Sequence, residues 1–196
     1  CIRDSRDSEH KSAVGLRVNY DIERDCPGET TCTGIPGRFG ICLENGDFEK
    51  ALAMLRESGI ELAGLHLHQS SKTRSLAIYR SIAGTAVQIG RELGLDALRY
   101  VDIGGGFFGG SFFPGKPTYA EYAETVCTTL REFYSPEKTA LILEPGAAIL
   151  ATSMDYLTSV LNIREVRGYR IVTVDGSVVH INPFMNPHPT PFTMIN

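Results

Sequence analysis

The sequence predicts an α/β fold built on a parallel sheet or barrel, and two observations carry that prediction. Short apolar runs at about 13–20, 62–67, 100–103 and 140–143 alternate with helix-length amphipathic segments. Alternation of this kind implies parallel strands joined by right-handed helical crossovers. Three of the runs end in motifs of unusual chemistry: Gly64-Leu65-His66-Leu67-His68-Gln69-Ser70-Ser71, Asp102-Ile103-Gly104-Gly105-Gly106-Phe107 and Leu143-Glu144-Pro145-Gly146. A parallel architecture brings all three ends to one rim.

The elements follow in order. Residues 1–12 are charged and aperiodic, and the first strand candidate is 13–20. Residues 21–40, rich in Gly, Pro, Thr and Cys, read as a long irregular loop of the kind that carries function. A helix is expected over about 47–58, with Phe48, Leu52 and Leu55 on one face and Gly59 at its end. After the strand at 62–67, a helix over about 73–93 presents Leu76, Tyr79, Ile82, Ala83, Ala86, Ile89 and Leu93 at helical spacing, and Gly94 can end it. The third helix opens on a capping box, Thr118-Tyr119-Ala120-Glu121, and turns Tyr122, Val126, Leu130 and Phe133 inward. Beyond about 155 the pattern becomes β-rich: 156–163 and 169–181 read as antiparallel strands with a turn at Asp175-Gly176, and a Pro-rich tail closes the chain. The division is therefore 1–155 and an incomplete β-rich unit over 156–196.

Composition narrows the class. The chain has 196 residues, 42% hydrophobic and 21% charged, enough for one full core. A net charge of −4 gives no basic footprint for nucleic acid, and no apolar run reaches the roughly 18 residues of a membrane span. Five irregularly spaced cysteines without a C-x-x-C pair favour reduced thiols and a cytoplasmic location.

The rim would gather imidazoles, hydroxyls, bare glycine backbone and a carboxylate, an inventory suited to a phosphorylated, protonatable heterocycle. Gly104-Gly105-Gly106 can approach a phosphate closely, or serve as a structural turn. The literal G-x-G-x-x-G match ending at Gly109 is not a dinucleotide site, because a Phe- and Pro-rich stretch rather than a helix follows. His66 and His68 lie two apart on a strand and project to one side. They allow a metal pair with Glu144 as a further ligand, a ring stack by His68, or a packed core histidine; no metal is assigned. Glu144 would meet a pyridinium N–H or stand as a surface acid beside a turn. Arg17 ends its strand at the same rim and could equally make a plain salt bridge.

Taken in order, these motifs over about 14–147, with the turn Gly37-Arg38-Phe39-Gly40, resemble the fold-type III pyridoxal-phosphate decarboxylases that act on diaminopimelate, ornithine, arginine and carboxynorspermidine. The resemblance implies a TIM-like (β/α)8 barrel of the alanine-racemase kind, with strands five to eight present here, followed by a β-domain. It implies pyridoxal 5'-phosphate as cofactor, a basic or diamino acid as substrate and a homodimer; the composition already points away from nucleic-acid and membrane partners. It assigns His68 to the cofactor ring, Ser71, Gly104, Gly105, Gly106 and Gly146 to the phosphate, Glu144 to the pyridine nitrogen and Arg17 to a place beside the ring. His68 and Glu144 are the implied catalytic pair.

Three departures stand against the pattern: Gln69-Ser70 replace Ile-Gly, Gly37 replaces Ser in the turn, and Ala147 replaces the Arg of Glu-Pro-Gly-Arg. None of the lysines, 11, 50, 72, 116 and 138, stands in the family's Schiff-base setting. The expectation is a fragment of a decarboxylase, inactive alone. A non-catalytic cofactor-binding homologue and a racemase using the same cofactor are the alternatives.

Overall fold

The computed structural model describes residues 13–31, 35–69, 71–108, 115–150, 155–181 and 192–195. The charged start at 1–12, Ser70, the loop 109–114 and most of the Pro-rich tail lie outside the described residues. The chain divides into two units, Cys1–Thr152 and Ser153–Asn196.

In the first unit, β1 (Val14–Asn19), β2 (Ile41–Cys42), β3 (Leu62–His66), β4 (Tyr100–Asp102) and β5 (Ala140–Ile142) form one sheet. Its order is β2-β1-β3-β4-β5 and every pairing is parallel. This is the α/β parallel-sheet architecture the alternation predicts. Among the described residues the sheet is open, with β2 and β5 at its edges. Strand β2 follows directly on the segment 21–40 that reads as loop and carries no period, being two residues long.

Three helices cover one face: α1 (Asp47–Glu57), α2 (Leu76–Leu93) and α3 (Tyr119–Leu130). Leu16, Val18, Leu65, Val101 and Ile103 meet Phe48, Leu52, Leu55, Ile78, Tyr79, Ile82, Ile89, Tyr122 and Val126 in a single core. Each such large side chain stabilises the fold by about 1.5–3 kcal/mol. The expected helix faces are therefore the buried ones. Helix α2 starts at Leu76 rather than 73, because Ser75 caps it by accepting from the Ile78 N–H, and Gly94 ends it in the left-handed conformation. Both halves of the Thr118–Glu121 capping box are formed on α3.

The opposite face of the sheet carries the unusual side chains. Pairing registers put Gly15, Gly64, Tyr100 and Ala140 in one row and Arg17, His66, Asp102 and Ile142 in the next, toward the strand C-termini. Paired residues of parallel strands point to the same side, so each row is a layer. Tyr100 lies across its neighbours: a Cβ at Gly64 would stand 2.3 Å from its ring, and one at Gly15 2.0 Å from its hydroxyl. Beyond the sheet, Gly146 and Ala147 lead into a single helical turn, α4 (Ala147–Leu150).

The second unit contains β6 (Val160–Val166) and β7 (Tyr169–Val174), paired antiparallel as expected, and a short helix α5 (Val178–Ile181). The hairpin turn is not Asp175-Gly176 but Arg167-Gly168, whose φ angles of 51° and 80° are those of a type I′ turn. Asp175 instead closes the end of β7 by accepting from the Ser159 N–H at 2.8 Å and from the Thr158 hydroxyl. The helix at 178–181 replaces strand expected there.

Candidate functional site

The site occupies the C-terminal ends of β1, β3, β4 and β5. Its centre is the Gly104-Gly105-Gly106 turn, which packs between the ends of its two neighbours. Gly104 has φ 73°, and a Cβ there would meet His68 Nδ1 at 2.3 Å. A Cβ at Gly105 would meet the Glu144 carbonyl oxygen at 2.1 Å. Glycine is thus required sterically at both positions, so the imidazole of His68 and the backbone of Glu144 can close on the turn from either side.

Hydrogen bonds fix this arrangement. The Asp102 carboxylate accepts from the Gly104 N–H at 2.8 Å, His68 Nδ1 accepts from the Gly105 N–H at 3.2 Å, and the Glu144 N–H donates to the Gly104 carbonyl at 2.9 Å. Below the turn, the Tyr79 hydroxyl donates to the Gly105 carbonyl at 2.9 Å, and its ring stacks on Phe107 at 4.5 Å. Burial pushes the Tyr79 phenol up, so it remains a donor across the physiological range. Of the three glycine amides, only that of Gly106 lacks an acceptor among the described residues.

The bond to Nδ1 determines the state of His68. An imidazole nitrogen that accepts carries no proton, so the neutral ring holds its proton on Nε2. Burial lowers the His68 pKa, and the nearby Arg17 guanidinium and His66 add to the effect. His68 is therefore a neutral, oriented ring, suited to stacking.

His66, Asp102 and Glu144 form a second cluster one layer down. Each offers a ligand atom, and all three atoms lie within 4.8 Å of one another. His66 Nε2 stands 3.6 Å from a Glu144 carboxylate oxygen. Glu144 is exposed, with 54% of its side chain accessible, so this carboxylate carries little desolvation penalty and is open to a cationic partner. A cluster of this composition can hold a divalent cation or a protonated ring nitrogen. His68 is not part of this cluster; its ring centroid stands 6.4 Å from that of His66.

Arg17 lies beside His66 in the strand register, with its guanidinium carbon 4.9 Å from the Phe39 ring centroid. Its Nε and His66 Nε2 are the two buried side-chain polar atoms without a hydrogen bond among the described residues. Such atoms are costly unless a partner meets them. The Gly37–Gly40 turn is clamped to this corner by Asn19, whose amide donates to the carbonyls of Gly37 and Phe39.

Ser71 sits apart from the glycine turn, in a loop tied to residues 29–30. Its hydroxyl accepts from the Arg74 N–H at 2.7 Å and lies 3.4 Å from the Thr73 hydroxyl. Glu29 secures this loop through the hydroxyls of Thr73 and Ser75. Gly146 precedes α4, and its carbonyl accepts from the Ile149 N–H at 3.0 Å. The structure thus brings together His68, Gly104, Gly105 and Glu144 directly, with Arg17 one strand away. Asp102, Tyr79 and Tyr122 were not singled out from the sequence as site residues. Asp102 carried a signal, an acid at a strand end before three glycines; the tyrosines read only as core-facing positions on their helices.

This glycine turn, gripped by an oriented histidine and a Glu-Pro-Gly strand end at the C-terminal rim of a parallel sheet, defines a binding site of the barrel class. Residues 2–151 match the family described as pyridoxal-dependent decarboxylase, pyridoxal binding domain, and the chain belongs to that family. Its cofactor is pyridoxal phosphate. The chain is 26% identical over 172 residues to diaminopimelate decarboxylase of Aquifex aeolicus, covering 86% of this chain and 40% of that protein. It is 30% identical over 149 residues to diaminopimelate decarboxylase of Actinosynnema pretiosum, covering 72% and 33%. The M. jannaschii diaminopimelate decarboxylase solved in complex with L-lysine superposes with a TM-score of 0.69 at 25% identity, over 84% of this chain and 39% of that one. An arginine decarboxylase of Paramecium bursaria Chlorella virus shares the fold, with a TM-score of 0.60 at 17% identity, over 87% and 44%. The chain spans about two fifths of the length of these relatives. Among the described residues, no helix is long and apolar enough to cross a membrane.

Proposed function

We propose that this chain supplies the ring-and-phosphate side of a pyridoxal-phosphate site in a carboxy-lyase acting on a basic or diamino acid. The single observation carrying this reading is the Gly105 N–H bond to His68 Nδ1, which presents a neutral imidazole beside the glycine turn and the Glu144 strand end. The residues fit the cofactor. Arg17 Nε and His66 Nε2 are buried without a hydrogen bond among the described residues, and bare backbone at Gly104 and Gly105 admits close packing. His68 would stack on the ring, Glu144 would accept from the protonated pyridine nitrogen, and Arg17 would flank the ring. Ser71, Gly106 and Gly146 would serve the phosphate, with Gly104 and Gly105 shaping the turn whose amides His68 and Asp102 already engage.

When bound, pyridoxal phosphate supplies an electron sink for the pair left behind as a substrate loses its carboxyl group. The chain's own contribution is orientation and protonation. A carboxylate at Glu144 stabilises a proton on the facing nitrogen, and Asp102 and Tyr79 hold the turn in place. The relatives named for diaminopimelate, and the neighbour solved with L-lysine, support a diamino or basic acid as the substrate class. A homodimer and a cytoplasmic setting complete the reading.

Titration of the 196-residue chain with pyridoxal 5'-phosphate, followed by equilibrium dialysis and absorbance, tests it. Binding weakened about 2–13-fold by H68A is the expected result, from the loss of roughly 0.5–1.5 kcal/mol of ring stacking. Failure of the chain to bind pyridoxal 5'-phosphate overturns the reading. No lysine of the chain stands in a Schiff-base setting, so the 196 residues alone are expected not to decarboxylate lysine, ornithine or diaminopimelate. A non-catalytic binding homologue is the second reading. It is favoured by Ala147, which brings no charge to the rim. Borohydride-reducible absorbance in the full-length protein would exclude it.

A further inference from the structure

We propose that Arg74, seconded by Lys116, is the cationic half of a phosphomonoester site at the mouth of the glycine turn. The inference rests on the cofactor reading above and assigns to its phosphate a charge that neither the glycine turn nor Ala147 supplies, Arg17 being placed beside the ring. Two of the three glycine amides are already engaged, by Asp102 and His68, and Ala147 is neutral. A phosphate dianion at that turn would meet one amide without an acceptor among the described residues, that of Gly106, and needs a cation.

Arg74 is built for the purpose. It is one of two described non-glycine residues with positive φ, at 52°. A side chain in the left-handed region costs about 1–2 kcal/mol and persists only where its surroundings over-determine it. Here they do. Its N–H donates to the Ser71 hydroxyl at 2.7 Å, and its carbonyl accepts from the Tyr122 hydroxyl at 2.6 Å. The same Tyr122 oxygen accepts from the Phe108 N–H at 3.4 Å, and the Tyr122 ring packs edge-on against both Tyr79 and Phe107. Tyr79 in turn holds the Gly105 carbonyl. The Ser71–Arg74 turn and the glycine turn are thus one packed unit, joined by two phenols.

The guanidinium lies 5.0 Å from the centroid of Phe108, and the Lys116 ammonium lies 5.0 Å from the same ring. Neither cation has an ion pair among the described residues. Two positive charges held on one aromatic ring repel each other, and an anion bound between them removes that penalty. Phe108 follows Gly106 by two residues, so the ring that carries both charges belongs to the same turn as the Gly106 amide, which has no acceptor among the described residues. Guanidinium, ammonium and a backbone N–H make a donor set suited to a phosphomonoester.

R74N is the discriminating variant, because Asn adopts the left-handed conformation more readily than Arg and so removes the charge without straining the turn. Affinities for pyridoxal 5'-phosphate, pyridoxal and inorganic phosphate are measured by equilibrium dialysis, with thermal unfolding as the fold control. R74N is expected to retain its unfolding temperature, to weaken pyridoxal 5'-phosphate and inorganic phosphate binding about tenfold or more, and to leave pyridoxal binding unchanged. A147R placed in the R74N background is expected to restore part of the lost affinity. Equal loss for pyridoxal and its phosphate, or no loss in R74N while wild type still prefers the phosphorylated form, overturns the assignment and leaves the cofactor reading standing. A wild-type chain that binds neither form sinks both.

Discussion

Adding one methyl group at Gly105 tests how tightly the strand ends close on one another. An alanine Cβ there would lie 2.1 Å from the Glu144 carbonyl oxygen, well inside the 3.0 Å that real Cβ contacts respect. The obstacle is backbone, so no rotamer change relieves it and β5 must move by about 1 Å. Overpacking of this kind costs about 1–3 kcal/mol. The movement also loosens the bonds from Gly105 N–H to His68 and from Glu144 N–H to Gly104, each worth about 1 kcal/mol. The expected destabilisation is about 2–5 kcal/mol, or about 5–15 °C in Tm for a unit of this size. Circular dichroism melts of wild type and G105A measure it. G84A is the control: Gly84 lies within α2 with open space around its Cβ, and alanine there is expected to stabilise by about 0.5–1 kcal/mol. A G105A melt within 2 °C of wild type would refute the packing of the glycine turn on Glu144.

Further expectations concern the turn's supports and the hairpin. Y79F leaves the buried Gly105 carbonyl without its donor and should cost about 1–3 kcal/mol in urea unfolding, with unchanged far-ultraviolet dichroism. His68 is held below its ordinary pKa, so on acidification the unfolded chain takes up this proton first. The stability contributed by the neutral ring is complete above about pH 6.5 and is lost as pH falls through the depressed folded value. H68N should flatten stability against pH between about 7.5 and 5; parallel profiles for the two proteins would contradict the assignment. R167N should stabilise the β6–β7 hairpin by about 0.5–1 kcal/mol, read as slower amide exchange across the strands, because Asn suits the first position of a type I′ turn far better than Arg.

What could be read from the sequence was whatever a repeating pattern or a capping rule encodes. The faces of α1, α2 and α3 are periodic over three turns or more, and the Thr118–Glu121 box marks its helix without ambiguity. Strand β2 escaped because two residues cannot show a period. The hairpin turn escaped for a different reason. Asp175-Gly176 has the better turn composition, whereas Arg167 adopts a conformation that propensity disfavours and that the pairing of Val166 with Tyr169 imposes. At the site, strand-end residues could be located, yet not their partners. The exposure of Glu144 and the capture of two glycine amides depend on how the ends of β3, β4 and β5 abut. Arg74 carried no sequence signal, since its position follows from a left-handed turn and a phenol 48 residues away.

The row of Gly15, Gly64 and Tyr100 has an evolutionary consequence. One aromatic ring occupies the space that three strands would otherwise fill with three side chains, so the positions are coupled by volume. A larger residue at either glycine is tolerated only after Tyr100 has shrunk, and a smaller residue at 100 leaves a void until a glycine is replaced. Each single step from the present state is harmful, while the paired steps are neutral. The floor beneath the site therefore changes in concerted substitutions, and lineages that keep the tyrosine should keep both glycines with it.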